Sequence, residues 1–228
     1  MRYHTAALTA GLCLSATSHA QVLETFESFD EGTIGDSFAS NGVEFHDANQ
    51  VSGQYPDGEP FGPGDPGSSF IIEQASLFYN DFPGFGSPVN ALTFGRAFIP
   101  GDNLTIGPLA SVWMSLDENA TSVSLDLAYF ENGPWGGIEY HLDALLDDAV
   151  VGSSSFTIAD GGGRDNATWT TMALDGIEFD QLHLYATLNG GFTAPRGMID
   201  DLSLTIVPAP ASGVLVFAFA AMSRRRRR

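Results

Sequence analysis

Short segments with apolar residues at every second position recur along this 228-residue chain, and clusters of Gly, Pro, Asn, Asp and Ser separate them. The alternation is clearest in residues 122–129, 182–186 and 202–206. A pleated strand places such residues on one face, whereas no window of helical length outside the two termini shows a convincing helical period. Many short strands at this spacing predict an all-β fold, an antiparallel β-sandwich.

The same pattern locates the strands and the loops between them. The strand candidates are residues 22–27, 42–46, 70–73, 91–94, 110–116, 122–130, 137–146, 153–158, 169–174, 181–188 and 197–206. Residues 52–67 and 81–88 are rich in Pro and Gly, which predicts two loops because proline cannot donate to a central strand ladder. Long loops in compact domains often carry function, although a plain surface excursion remains the alternative.

The C-terminal residues 207–228 have a different character from the rest of the chain. They read VPAPASGVLVFAFAAMSRRRRR: a Pro-rich joint, a short apolar run and terminal arginines. The apolar run is shorter than the roughly 20 residues that cross a bilayer core, and the arginines favour the cytoplasmic side. We therefore predict a short transmembrane helix, with a buried C-terminal core helix as the alternative.

This three-part tail resembles the PEP-CTERM sorting signal of Gram-negative and related bacteria, in a VPAP variant. The resemblance makes Val207, Pro208, Ala209 and Pro210 the sorting motif, with alanine where the namesake has glutamate. It makes the terminal run the Arg cluster: Arg224, Arg225, Arg226, Arg227 and Arg228. It implies an exosortase-type sorting enzyme as a partner and transient anchoring in the inner membrane.

The N-terminal residues 1–20 read as a secretory signal peptide, with an apolar stretch before Ser18-His19-Ala20. We expect signal peptidase to cut before Gln21, which leaves residues 21–206 as one β-sandwich domain. The chain's single cysteine, Cys13, lies in the signal peptide, so this domain has no disulfide and no thiolate chemistry. Together with the tail, this predicts an exported protein of the cell envelope, the cell surface or the extracellular space.

Residues 21–206 also carry an extreme charge. They hold all 28 acidic residues of the chain, while Arg96, Arg164 and Arg196 are their only basic residues besides histidine. Such a surface repels nucleic acid and attracts divalent cations. We therefore expect no nucleic-acid partner, and a saline or cation-rich surrounding explains the charge most simply.

The two ends of the domain resemble those of jelly-roll carbohydrate-binding modules and related bacterial surface domains. The chain has Thr25-Phe26-Glu27 near its start and Asp200-Asp201-Leu202-Ser203-Leu204 near its end. In the resembling modules these segments often lie side by side and hold a structural calcium ion. The resemblance implies Glu27 and Asp200 or Asp201 as metal ligands, and calcium prefers such hard oxygen donors. The alternative is that these are ordinary solvated carboxylates.

The tryptophans are the candidates for ligand contact. Trp135 lies in a Gly- and Pro-rich turn, where an exposed ring can stack on a sugar, although loop anchoring is the simpler interpretation. Trp113 and Trp169 lie in strand-like runs, which predicts that both are core residues. The mature histidines His46, His141 and His183 share no ligand spacing and are interpreted as ordinary strand residues.

These observations favour a non-enzymatic structural or adhesive protein of the cell surface or extracellular matrix, with extracellular polysaccharide as a partner. A genuine carbohydrate-binding module is the alternative. A glycoside hydrolase is the second alternative, because paired carboxylates such as Glu131 and Glu139 can cleave a glycosidic bond. In a chain with 28 acidic residues such a pair is weak evidence, and the sequence predicts no catalytic residue.

Overall fold

The computed structural model describes residues 20–49, 52–54, 58–65, 70–74, 85–86, 89–94, 110–130, 138–157, 167–188, 191–193 and 197–207. In these residues the regular structure is β-strand, and the pairings are antiparallel. The antiparallel all-β prediction is therefore confirmed. There is no helix in the described part with the length and apolarity of a membrane span. The predicted N-terminal signal helix and C-terminal tail helix lie outside the described residues, apart from Ala20, which begins β1, and Val207, which follows β14.

The strands are numbered in chain order. They are β1 (Ala20–Glu24), β2 (Gly32–Gly35), β3 (Ser37–Ser40), β4 (Val43–Asn49), β5 (Gly53–Gln54), β6 (Pro60–Phe61), β7 (Phe70–Gln74), β8 (Asn90–Phe94), β9 (Ala110–Phe130), β10 (Ile138–Leu146), β11 (Ala149–Thr157), β12 (Ala167–Leu188), β13 (Gly191–Thr193) and β14 (Gly197–Ile206). The two-residue strands β5 and β6 pair only with each other, inside the predicted first loop.

Two long strands, β9 and β12, organise the fold. The first part of β9 pairs with β4 and with the last part of β12, which in turn pairs with β10. This gives a first layer in the order β3-β4-β9-β12-β10-β11. The other halves of β9 and β12 form a second layer with β14, β8, β7 and β2. The two layers pack face to face on one hydrophobic core, as a β-sandwich does.

The sequence predicts each long strand as two short ones, and this prediction is wrong. Residues 117–121 and 175–180 are mostly polar and look like turns, yet both segments lie within continuous strands, with Phe179 opposite Ala120 between two register shifts. Gly176 has φ +74° at this point, a left-handed conformation that glycine adopts without a steric penalty. Bulges of this kind bend a strand without ending it, which lets β9 and β12 pass from one layer to the other.

The two ends of the domain are neighbours, as the sequence led us to expect. β1 pairs with β14, with Ala20 opposite Ile206 and Glu24 opposite Leu202. Beyond β14, the N–H of Val207 donates to the carbonyl of Asn119 at 2.8 Å. The chain therefore enters and leaves the sandwich at one place in the second layer.

Candidate functional site

The outer face of the first layer follows from strict alternation in its strands. Leu182, Leu184 and Ala186 of β12 are buried in the core between the layers, and so are Val112 and Met114 of β9. Residues between them project from the opposite side, because successive side chains of a strand alternate faces. The outward positions carry rings where a solvated sheet usually carries small polar residues.

Four of these rings form a continuous stack, which we call the ring row: Trp113 of β9, His183 and Tyr185 of β12, and His141 of β10. The centroids of Trp113 and His183 lie 3.7 Å apart with planes 7° from parallel. His183 and Tyr185 follow at 4.6 Å, and Tyr185 and His141 at 4.7 Å. The strand register opposes His183 to Trp113 and Tyr185 to His141, so the sheet itself positions the stack.

Carboxylates and hydroxyls line one side of the ring row. The Tyr185 hydroxyl donates to Asp143 Oδ2 at 3.1 Å, and Ser153 donates to Asp143 Oδ1 at 2.6 Å. Ser155 donates to Glu139 Oε1 at 2.8 Å. These bonds hold both acidic side chains in fixed positions between β11 and the rings. The His141 ring is also held, since its Nε2 lies 2.9 Å from the Thr187 hydroxyl.

Burial keeps the centre of the ring row neutral. Desolvation lowers the pKa of His183 to about 4, and the nearby Asp143 only partly opposes this shift. Desolvation and Asp143 together raise the pKa of Tyr185 to about 12. His183 is only 8% exposed, and its Nε2 has no hydrogen-bond partner in the described part of the molecule. The centre of the row therefore combines two neutral rings, His183 and Tyr185, with fixed carboxylates beside them.

The predicted metal ligands lie in the second layer, near the junction of the chain ends. Asp200 is fully buried, and its Oδ1 accepts from the Asp201 N–H at 2.8 Å. Glu27 Oε1 accepts from the backbone N–H groups of Val89 and Asn90 at 2.8 and 2.9 Å. Burial raises the pKa of Asp201, and the charges of Asp126 and Glu27 raise it further. These carboxylates therefore share one region of negative potential.

The fit of this region to calcium is incomplete in the described residues. Their donor chemistry is right, since calcium takes carboxylate and backbone oxygens. The described residues nevertheless contain no group of three or more His, Cys, Asp or Glu side chains arranged to hold a metal ion. Several of the carboxylate oxygens already accept backbone hydrogen bonds. Calcium at Glu27, Asp200 and Asp201 stays a prediction.

The remaining predicted site residues fall mostly outside the described residues. Trp135, the predicted ligand contact, is one of them, and so are Pro208, Ala209, Pro210 and the Arg cluster at residues 224–228. Val207 is the last described residue. The carbohydrate contact at Trp135 and the sorting motif therefore stay predictions.

The prediction that Trp113 belongs to the core is wrong, and the same prediction for Trp169 is confirmed only in part. Trp113 lies on the outer face, between Val112 and Met114, which do enter the core. Trp169 packs on a small separate cluster of Phe85, Ala91, Ala128 and Met198, with its ring 6.3 Å from that of Phe85. Both occupy outward positions of β9 and β12, so strict alternation from the neighbouring aliphatic residues was the signal that could have placed them.

Comparisons with known proteins do not name a family. No protein-family model and no curated protein matches the chain. Among solved structures, the K2 cleaved adhesin domain of Lys-gingipain is 16% identical with a TM-score of 0.44, covering 82% of this chain and 100% of that domain.

Two further solved structures are more distant. The CBM22-1 xylan-binding domain from Paenibacillus barcinonensis Xyn10C is 11% identical, with a TM-score of 0.36 and coverage of 85% and 97%. The C-terminal domain of a chitobiase from Bacteroides fragilis is 13% identical, with a TM-score of 0.34 and coverage of 76% and 100%. These structures are adhesin-like and carbohydrate-binding or related domains. Likenesses this distant assign no function to the present chain.

Proposed function

We propose that this domain is a carbohydrate-binding module of an exported surface protein, and that the ring row is its glycan-binding face. The single observation that carries the proposal is the stack of Trp113, His183, Tyr185 and His141 on an outward sheet face. Large rigid rings outside the core contribute contact area at little entropic cost, and ligand sites combine such rings with a few polar groups.

The orientation of the rings determines what they offer a sugar. Side chains of a strand stand roughly perpendicular to the sheet, and these rings lie face to face along the row. The row therefore turns its ring edges outward, where Asp143 and Glu139 stand as fixed acceptors. Sugar hydroxyls would donate to these carboxylates while the sugar ring covers the apolar edges. Preorganised acceptors of this kind reduce the cost of ordering on binding.

A glycan-binding face favours the module over a purely structural role, and it agrees with an adhesive one. We retain the expectation that the protein binds without cleaving, and release of reducing sugar from bacterial exopolysaccharides would contradict it. We also retain calcium as a structural cofactor of the second layer, because Asp201 experiences the unfavourable field of Asp126 and Glu27. Export by the signal peptide and the PEP-CTERM-like tail completes the proposal.

The test uses the protein purified after export, with a panel of soluble polysaccharides of different sugar classes. We expect one class to bind, and Trp113→Ala to weaken that binding at least about tenfold, as truncation of a central aromatic contact typically does. Trp169→Ala is the matched control, since it removes the same side chain from the second layer. Equal melting temperatures of Trp113→Ala and the parent protein would exclude unfolding as the cause.

Two results would overturn this proposal. One is the absence of binding to every polysaccharide in the panel. The other is binding that Trp113→Ala leaves intact and Trp169→Ala removes, which would move the site to the second layer.

A further inference from the structure

Among the described residues, the charged side chains around the ring row, histidines apart, are carboxylates. The acidic residues on the outer face of the first layer are Glu44 on β4 and Glu139 and Asp143 on β10. No lysine or arginine is present in the described residues. Within that part of the chain, only histidines could offset the carboxylates of this face. The face therefore attracts cations and repels anions wherever its histidines are neutral.

The histidines do not offset the charge of Asp143. His46 Nε2 lies 3.6 Å from Glu44 Oε1, and His141 Nε2 lies 3.8 Å from Glu139 Oε2. A proton that binds to either ring therefore places its positive charge beside a carboxylate on the same strand. His183 stays neutral above its pKa of about 4. Above that pH, Asp143, which faces His183 across β10 and β12, has no cationic neighbour in register among the described residues.

Asp143 is well suited to bind a positively charged ligand group. Two hydroxyl donors, Ser153 and Tyr185, fix one oxygen each, and a carboxylate oxygen can accept more than one bond. A charge-assisted bond to an ammonium group is roughly twice as strong as a neutral one. Beside it, the buried Nε2 of His183 has no hydrogen-bond partner in the described part of the chain. This observation is independent of the carboxylates and shows that the polar bonding of the row is incomplete within the described residues.

We infer that the ring row selects a glycan whose sugar units carry free amino groups, with Asp143 and Glu139 as the carboxylates that receive the ammonium groups. The inference rests on the proposed glycan-binding function and names its ligand class. Anionic glycans, such as those built from uronic acids, are disfavoured by the same carboxylates.

The test compares two ligands that differ in charge and share one backbone. Chitosan oligosaccharides carry free amino groups, and chitin oligosaccharides of equal length carry neutral N-acetyl groups. Titration calorimetry with the exported protein at pH 6 and low salt measures both. We expect at least about tenfold tighter binding of chitosan oligosaccharides, with an advantage that shrinks in 1 M salt, because screening weakens exposed charge pairs. A polyuronate is expected not to bind.

A matched pair of variants separates the site from the overall negative charge of the domain. Asp143→Asn removes one carboxylate beside the ring row. Asp30→Asn removes one carboxylate from an exposed position outside the first layer. We expect Asp143→Asn to lose most of the preference for chitosan oligosaccharides and Asp30→Asn to keep it. Melting temperatures of both variants serve as the check on folding.

Equal affinity for the two oligosaccharides, or equal losses in the two variants, would overturn this inference. The glycan-binding proposal would survive that result if binding still depended on Trp113. Failure of chitosan, chitin and every other polysaccharide to bind would reject both.

Discussion

The imidazole of His183 lies against the indole of Trp113, with ring centroids 3.7 Å apart and planes 7° from parallel. The two residues oppose each other on β12 and β9, so the stack is a cross-strand pair as well as a ring contact. Close packing excludes water from the imidazole, and the pKa of His183 falls to about 4 as a result. Folding therefore requires the neutral form of this side chain, which has a consequence for stability.

Between pH 4 and pH 6.5 the unfolded chain protonates His183 and the folded protein does not. The free energy of unfolding should therefore decrease as the pH falls from 6.5 to about 4, by an amount on the order of 3 kcal/mol from this residue. Above pH 7 the contribution is constant. Because many carboxylates titrate in the same range, the informative quantity is the difference between the parent protein and His183→Phe, which keeps a ring and cannot be protonated.

Denaturant unfolding at several pH values measures this difference. Relative to the parent protein, His183→Phe should gain stability as the pH falls through this window. A difference that does not change with pH would contradict the burial of a neutral imidazole.

Glu24 of β1 is a buried carboxylate, 2% exposed, that connects β1 to the turn between β3 and β4. Its Oε1 accepts from the Phe26 N–H at 2.7 Å, and its Oε2 accepts from Asn41 Nδ2 at 2.8 Å and from the Ser40 hydroxyl. In Glu24→Gln the side-chain amide N–H₂ replaces one carboxylate oxygen, so a donor faces a donor and that hydrogen bond is lost. We expect it to lower the free energy of unfolding by about 1–3 kcal/mol.

A residue of the same strand gives the control for Glu24→Gln. Gln21 is exposed, and its amide donates to the Ser203 hydroxyl at 3.0 Å. Gln21→Ala should change the stability by no more than about 0.5 kcal/mol, as exposed sites usually do. Chemical denaturation of both variants measures the contrast, and equal effects would refute the role assigned to Glu24.

Gly86 approaches Asp200 too closely for any side chain. A Cβ there would lie 2.6 Å from the Asp200 carboxyl carbon, and φ is +54°. Gly86→Ala should therefore destabilise the second layer by about 1–3 kcal/mol through overpacking, in addition to backbone strain. Gly64→Ala is the matched control, since φ is +87° and nothing lies within 4 Å of its Cβ position. Thermal melts that shift equally in both variants would show that strain alone matters.

The calcium prediction can be separated from simple protonation of Asp201. If an ion offsets the field of Asp126 and Glu27, a chelator should lower the melting temperature of the parent protein and affect Asp201→Asn less. Asparagine also tolerates the left-handed backbone of Asp201, where φ is 46°, so the substitution removes the charge without backbone strain. Two results together would refute the bound calcium ion: a melting temperature that does not change with chelator, and an Asp201→Asn variant that is more stable than the parent protein. They would indicate that the Asp201 carboxyl is protonated.

The sorting-tail prediction is tested by fractionation. A protein with an epitope tag after Arg228 should lose the tag when an exosortase-type enzyme cuts the tail, and the processed form should leave the inner membrane. Replacing residues 224–228 with glutamine should leave the tag attached. A tag that stays on the exported protein would indicate a permanent anchor.

The sequence predicts the core better than the site. Alternation alone identifies Leu182 and Leu184 as buried, because a strand with one buried face must repeat every second residue. Alternation does not predict the ring row, because strand register is what places His183 opposite Trp113 and Tyr185 opposite His141. The sequence also fails to predict the long strands, for a related reason. The polar residues at 117–121 look like a turn when the strand opposite them is unknown.

The continuity of β9 has a mechanical consequence. Trp113 lies in its first-layer half, and its second-layer half pairs with β14 next to the C-terminal exit. If the protein holds a polymer at the ring row while its tail is tethered, the load passes along one unbroken strand and enters β14 across antiparallel ladder bonds. Because Ala120 of β9 lies opposite Ile206 of β14, both loads act at the same end of this ladder, and its bonds open one at a time from that end. Such a load therefore reaches the hydrogen bond between Val207 and Asn119 first.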